Sequence, residues 1–534
     1  MHDKINITPL LKFEIVENIK SNIFTTAANT YMGIGRPIRW GDAVDPEEVD
    51  EIEGIIFSTN YANQVWRDMV AMKKVESASM YLVVPRRDWI SGIHYDPYSD
   101  NQALFSHEAH LSIGTVDATG NIVYSNTAVF TGNLATGNVI QIGHESKEVV
   151  GFINATAVVI NTNVSTAYTN TAAIRISNTY PQFANNFYVR NSKDQVFKCL
   201  FNNYEANSTV EPTIDIDGQL PENPYIETGD GYKWKYLYTI PYGLKQKFFT
   251  KNWMPVVEDA SVVAGAVSGR IDVINIVDGG TGYFLDNGES GNSNSLAILT
   301  VVGDGTGATV SARVESGVIT DINILNGGSD YTTAEIVIDD PDQLANGTSA
   351  NLEVAISPYG GHGSNPAKEL GCFSIMISVD LEGTESGTIP VGTDVDPFDF
   401  RQIILVRDPL TANGLYANDS VYRTTTKLSL TDPGTSNYSN DETVYIGASG
   451  DPAFTAVVVH WEPNTNELYV NNLSGNVTVG STLYGTVSNA SATILGTEEP
   501  DVSLFAGDIL YIENRQKIVR NENQTEQIRL ILSF

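Results

Sequence analysis

The chain has 534 residues, with 64 Asp and Glu against 31 Lys and Arg, for a formal net charge of −33. At about 100–200 residues per domain this length predicts three or four domains, and 42% hydrophobic residues suffice for packed cores, which argues against global disorder. So acidic a surface makes nucleic-acid phosphate and anionic membranes poor partners.

Two cysteines, Cys199 and Cys372, exclude a disulfide-rich scaffold and a Cys-based zinc site. They are expected as reduced, buried thiols. There is no run of about 18 apolar residues to form a membrane-spanning helix. The opening Met1-His2-Asp3-Lys4 is polar, without an apolar signal core, so the expectation is a non-secreted protein made in the cytosol.

In chain order, Pro9 to Phe24 reads as a strand and then a short helix. Tyr31 to Trp40 reads as a strand entering a turn, since Gly33, Gly35 and Pro37 oppose a helix. Asp42 to Glu53 is acidic. Val65, Met69 and Met72 fall at i, i+4 and i+7, which predicts a helix over Asn60 to Lys74. Met80 to Val84 is a buried-type strand stopped by Pro85.

From about Gly114 to Ser177 Asn, Thr, Gly and Val dominate, and short strands alternate with Asn-Thr, Thr-Gly and Gly-Asn turns. That pattern predicts a compact all-β unit. Phe187–Arg190 and Gln195–Phe201, separated by Asn191 to Asp194, read as a hairpin. An acidic, Pro-containing loop follows at Glu211 to Glu227. Lys233 to Ile240 alternates as a strand, placing Trp234, Tyr236 and Tyr238 on one face, with Lys233 and Lys235 opening the other.

The clearest internal repeat runs from Gly269 to Ile356. Gly269 to Tyr283 aligns with Gly317 to Tyr331 at an offset of 48, with eight of fifteen positions identical. Each copy is an Ile-rich strand, a Gly-Gly turn and a Tyr, followed by an apolar strand and a Gly-Thr loop, at Gly305-Thr306 and more loosely at Gly347-Thr348. Two copies are too few for a solenoid and predict one β domain of duplicated origin. A third β-rich block spans Glu442 to Glu498. Two strands, Asp508 to Arg515 and Gln527 to Phe534, end the chain.

No GxSxG, HExxH or P-loop occurs. His107 and His110 have ligand-like spacing but no third ligand, so they read as a polar surface segment. The glycine-rich Gly303 to Gly307 and Gly360 to Gly363 lack a strand-to-helix context for phosphate and read as loops. Asp215-Ile216-Asp217-Gly218 hints at a calcium loop, but Pro224 falls where a bidentate Glu belongs. Paired carboxylates are too frequent here to define glycosidase geometry. The aromatic stripe Trp234, Tyr236 and Tyr238 suits either sheet core or sugar stacking. Arg86-Arg87-Asp88-Trp89 reads either as an ion pair with a Trp lid closing a core, or as an interface rich in hot-spot residue types. No catalytic residue, metal ligand or cofactor site is nominated.

Val84-Pro-Arg-Arg-Asp-Trp89 followed by Tyr95-Asp-Pro-Tyr98 resembles the N-terminal core of a baseplate wedge protein of contractile-tailed bacteriophages, the subunit that forms a dimer within each of six wedges. Further segments agree in order: Tyr31 to Trp40, Phe187–Arg190 with its Lys198-Cys199 strand, Thr228 to Pro241, and Tyr511 to Arg515 with Gln524 to Ile528. Gly360 to Pro366 resembles a loop of longer, cyanophage-like members. The match covers about half of the chain. It implies a mainly β, multi-domain fold: a β-sandwich core with a few short helices and inserted small β domains. The core then comprises 1–113, 178–256, 357–439 and 501–534, and the insertions 114–177, 257–356 (the duplicated domain) and 440–500.

The resemblance also implies a structural, non-enzymatic role in the virion tail baseplate, after synthesis in the host cytoplasm. Expected partners are a second copy of the chain, as a homodimer, and other wedge subunits, with no nucleic acid and no membrane. A carbohydrate-binding tail protein that uses Tyr283 and Tyr331 of the duplicated unit is the alternative. A glycan hydrolase would need two placed carboxylates that the sequence does not identify.

Overall fold

The structure, a computed structural model, describes residues 14–18, 29–37, 59–98, 111–125, 130–176 (except 133, 135, 137, 138, 143, 144, 162, 165 and 166), 187–215 (except 205), 225–285, 295–338, 344–392 (except 346) and 397–533. The fold is mainly β, built of several sheets and barrels with a few short helices. The chain divides into two compact units, one essentially Leu82–Ser374 and the other Ile15–Tyr81 with Ile375–Ser533.

In the first unit, Leu111–Thr119 pairs with Ile122–Tyr124 on one side and Tyr168–Ile176 on the other. Ala157–Ile160, Glu145–Asn154 and Val139–Ile142 complete a closed six-stranded barrel. The short strands bury alternate residues such as Val116 and Ala118, and with Phe130, Ile140, Val149 and Val158 these fill the interior. Closure removes free edges from a sequence whose polar strands would otherwise be weakly specified in register.

A four-stranded sheet follows, ordered Tyr188–Arg190, Gln195–Phe201, Lys233–Thr239 and Ile226–Glu227. Its register corrects the predicted face. Phe197 pairs with Tyr236 and Val196 with Tyr238, so a bulge falls at Leu237. Trp234 and Tyr236 pack with Phe197, Cys199 and Tyr95 on one side. Tyr238 turns to the other side, because an extra residue reverses the alternation beyond it. Trp253–Pro255 pairs with the end of Met80–Pro85.

The duplicated segment folds as an interlocked pair. The first strand of copy one, Ile271–Thr281, pairs with the last strand of copy two, Thr348–Ile356. The first strand of copy two, Val318–Ser329, pairs with the last of copy one, Thr306–Glu315. Registers correspond: Gly279 faces Ala350 and Gly327 faces Ala308. The tyrosines complete the exchange. Tyr283 N donates to Gly317 O and Tyr331 N to Gly269 O, at 3.0 and 3.1 Å. Their hydroxyls accept from Ala350 N and Ala308 N. A Cβ on Gly347 would lie 1.9 Å from the Tyr283 ring, and one on Gly305 2.3 Å from the Tyr331 ring. The Gly-Thr signature therefore seats an aromatic ring in each copy.

In the second unit a five-stranded sheet runs Val421–Arg423, Met69–Lys74, Thr30–Gly35, Phe398–Arg407 and Asp508–Arg520. The helix expected over Asn60 to Lys74 exists only as Thr59–Asp68; Met69–Lys74 is a strand. Met69, Val70, Ala71 and Met72 are all buried, and a segment apolar on both sides suits an interior strand as well as a helix. A second closed barrel, ordered Thr426–Leu430, Glu467–Gly475, Asp451–Glu462, Thr443–Ala448, Thr482–Gly485 and Ser491–Glu498, encloses Leu428, Phe454, Val458, Trp461 and Leu483. Ser374–Glu382 lies beside the C-terminal strand Thr525–Ser533.

Candidate functional site

The cluster beginning at Arg86 extends across three segments of the first unit. Asp88 accepts from Arg86 Nε at 2.9 and 3.0 Å and from Arg190 Nη1 at 2.6 Å. Arg190 donates onward to Asp194 at 2.8 Å, and Lys245 Nζ reaches Asp194 at 2.7 Å. The Arg86, Arg190 and Lys245 cations lie 4.5, 4.8 and 5.4 Å from the Phe249 ring centre. Burial opposes ionisation of Asp88, but hydrogen bonds from Arg86 and Arg190 hold its carboxyl below the usual range. Asp194 is held down against burial by Lys245 and Arg190. Arg87 lies 5.3 Å from the Tyr188 ring centre. Trp89 is half-buried; its N donates to Arg190 O, and its Nε1 donates to Ser208 Oγ at 3.1 Å. The Arg86–Asp88 ion pair is thus one link of a partly exposed charge chain anchored by an aromatic ring.

Trp234, Tyr236 and Tyr238 are buried. Trp234 stacks on Tyr232 at 5.4 Å and meets Tyr95 edge-on. Tyr236 and Thr239 hydroxyls lie 2.8 Å apart, and Tyr238 donates to Pro255 O. They form sheet core and offer no stacking surface. Tyr283 and Tyr331 are 2% and 5% exposed, which removes them too as a sugar platform.

A second polar cluster in the same unit escaped the sequence. Lys198, in the mostly apolar strand Gln195–Phe201, is fully buried and pairs with Glu369. Its Nζ lies 3.8 Å from the Tyr98 ring centre. Glu369 Oε1 accepts from Gly363 N at 2.6 Å. His362, delivered by the Gly360–Gly363 loop, lies between carboxylates: Nδ1 is 3.8 Å from Glu369 Oε2 and Nε2 is 3.6 Å from Asp272 Oδ2. Asp272 Oδ1 is 3.4 Å from Arg270 Nε, yet that oxygen and His362 Nδ1 lack hydrogen-bond partners.

Burial pushes the Asp272 carboxyl up to about 6 against the pull of Lys235, Arg270 and Lys198. Burial and then Lys198 push the His362 imidazole down to about 3. Burial opposes ionisation of Glu369, but Lys198 and His362 hold it down at about 2. The sequence signal for this cluster was a lysine in an apolar strand, since a fully buried lysine needs a partner.

Cys199 and Cys372 are buried and unbridged. Among the described residues no three His, Cys, Asp or Glu side chains gather as a metal ion requires. His107 and His110 lie outside the described residues, as do Asp217 and Gly218; Asp215 is exposed and pairs with Lys193 at 2.9 Å. Gly303 ends one strand of a hairpin whose next strand begins at Thr306, and Asp304 accepts from Thr332 N and Thr333 N, so this glycine-rich segment is a braced turn. Also among the described residues, no helix is long and apolar enough to cross a membrane. Compared with protein-family models and with curated proteins, the chain matches none.

Proposed function

We propose that this chain is a structural subunit of a contractile-tail baseplate wedge, acting as a dimer that holds neighbouring wedge subunits in register and turns over no substrate. It is made in the host cytoplasm and carried in the virion. During contraction it moves largely as rigid bodies while its interfaces change. The observation that carries the reading is the convergence of the resembling segments. The stretch from Val84 to Tyr98 is far in sequence from Phe187–Arg190 and from Thr228–Pro241. They are joined through Tyr188 to Pro85 O at 2.7 Å, Arg190 to Asp88, and the Tyr95–Tyr232–Trp234 rings. A core assembled from the resembling residues supports common descent better than scattered matches would.

Light scattering on the purified chain, alone and mixed with wedge partners from the same virion, tests the reading. The expected result is a dimer that enters a larger particle. A strict monomer that joins no partner overturns it. Trp89→Ala removes the Ser208 contact and a lid over the Tyr95–Trp234 core, so it is expected to impair folding or wedge assembly; normal melting together with normal assembly would count against that role.

A further inference from the structure

The side chains of Lys198 and Glu369 are 0% and 5% exposed, and they touch through Lys198 Nζ and Glu369 Oε2. An ion pair this deep loses much hydration, which its attraction repays only with excellent geometry. Burial opposes the lysine charge against the pull of Glu369. The face of the Tyr98 ring, 3.8 Å away at its centre, covers Nζ. The two carboxylate oxygens have different surroundings. Oε1 accepts from two backbone donors, Gly363 N at 2.6 Å and Asn365 N at 3.4 Å. Oε2 faces Lys198 and lies 3.8 Å from the buried His362 Nδ1, which has no hydrogen-bond partner. On the far side of the imidazole, Nε2 is backed by Asp272 Oδ2 at 3.6 Å. An amine, a carboxyl with one oxygen resting on backbone N–H groups, and an imidazole beside its other oxygen are the parts that acyl transfer needs.

We propose that Lys198 and Glu369 condense within the folded chain into a side-chain isopeptide bond, the ion pair being the precursor and the amide the product. The reaction is a single intramolecular event and turns over no substrate. One ammonium proton of Lys198 passes to Glu369 along their contact, leaving an amine and a carboxylic acid. Nζ then attacks Glu369 Cδ. Negative charge grows on Oε1, where Gly363 N and Asn365 N already point. His362 takes the second proton from the nitrogen at Nδ1 and returns it to Oε2, while Asp272 beside Nε2 stabilises the imidazolium. The Nζ–Cδ bond forms, the Cδ–Oε2 bond breaks and one water leaves. The ammonium and carboxylate charges cancel, and nothing is oxidised or reduced. Packing holds the reacting groups together, and the neutral amide removes two buried charges. The bond would fasten the strand Gln195–Phe201 to the short helix Pro366–Glu369. It would close a loop between residues 171 apart that contains the whole duplicated segment.

Intact-mass spectrometry of the purified full chain, sampled over time at neutral pH, tests the bond together with peptide mapping of the same samples. The wild type is expected to become lighter by one water and to yield a branched peptide joining Lys198 to Glu369. Lys198→Arg keeps the positive charge, but a guanidinium that stays protonated does not attack, so this variant is expected to keep its full mass. His362→Gln is expected to slow the mass loss by about a hundredfold or more, in a chain whose circular dichroism matches the wild type. A wild-type chain that keeps its full mass, or that loses water without the branched peptide, overturns the bond whether or not the variants fold. Cross-linking of His362→Gln at the wild-type rate overturns the part given to the imidazole.

Discussion

Each unit buries a charged cluster, and the two solve the problem differently. In the second unit Arg36 and Arg401 face Asp399 and Asp441. Arg401 Nε and Nη2 reach Asp399 Oδ2 and Asp441 Oδ2 at 2.7 and 2.8 Å, and its Nη1 reaches Pro37 O at 2.9 Å. Arg36 Nη1 reaches Val459 O at 2.8 Å, and its Nη2 reaches Asp399 Oδ1 at 3.1 Å. The planar forks tie the barrel to the adjacent sheet through fixed donor directions, and no accessible pH removes their charge. In the first unit the buried groups are Lys198, Glu369, His362 and Asp272. Three of these ordinarily titrate between mild acid and neutrality, and two of their polar atoms lack partners. The arginines keep their charge at any accessible pH, whereas the lysine, histidine and carboxylates of the other cluster can shed charge by moving protons.

Removing one anion from each cluster, or its counter-cation, gives the largest expected effect. Asp399→Ala leaves two buried guanidiniums that cannot deprotonate, and is expected to cost about 3–5 kcal/mol. Lys198→Met leaves Glu369 with Gly363 N and the option of taking a proton, so its cost is expected to be smaller. The difference has a signature. Glu369 titrates far below its ordinary value in the wild type, so its contribution is full above about 4.5 and is lost as pH falls toward about 2. Wild type and Lys198→Met should therefore converge in stability on acidification. Denaturant unfolding monitored by tryptophan fluorescence at several pH values reads both. Equal and pH-independent costs would erase the distinction between the clusters.

The next effect concerns Asp272 and His362; raising the Asp272 carboxyl to about 6 corresponds to up to about 3 kcal/mol. Asp272 has a raised folded value, so the folded state gains stability from it as pH falls from about 6 toward 4. His362 has a depressed folded value, so acidification below about 6.5 protonates the unfolded histidine first and removes stability. In the wild type the two slopes oppose each other across this window. His362→Gln is expected to leave the Asp272 slope, with stability rising on acidification. Asp272→Asn is expected to leave the His362 slope, with stability falling. Parallel pH profiles for the two variants would refute opposed titration.

These clusters also mark where sequence reasoning stopped. The 48-residue repeat was legible because Ile, Gly-Gly and Tyr recur at fixed spacing. Its interlock was not, because identity between copies does not say which copy supplies a strand's partner. The mainly β character followed from short alternating runs and Gly-rich turns. Met69–Lys74 failed because a doubly buried strand and a helix share the same apolar residues. Tyr238 failed because a bulge is a property of pairing, and its partner strand is some forty residues away. Lys198, Asp272 and the His362–Glu369 stretch come from three separate parts of the sequence, and only folding makes one environment of them. Arg86 to Trp89 was visible because its first ion pair is local, between residues two apart; Arg190, Asp194 and Lys245 were not.

The smallest expected effect sharpens the comparison by holding residue type fixed and changing burial. Asp88, like Asp399, sits between two arginines, at Arg86 and Arg190. Yet its side chain is 38% exposed, against 11% for Asp399. Water screens the pair and hydrates either arginine once the carboxylate is gone. Asp88→Asn is therefore expected to cost no more than about 1 kcal/mol, and less as salt rises. The sign with pH is the carboxylate one: Asp88 is held below its ordinary value, so its contribution is present above about 4 and fades as pH falls further. Unfolding of Asp88→Asn beside Asp399→Ala at two ionic strengths reads the contrast. Equal costs would mean that the arginine fork decides the energy at both sites, and that burial does not separate the frame of the molecule from its surface.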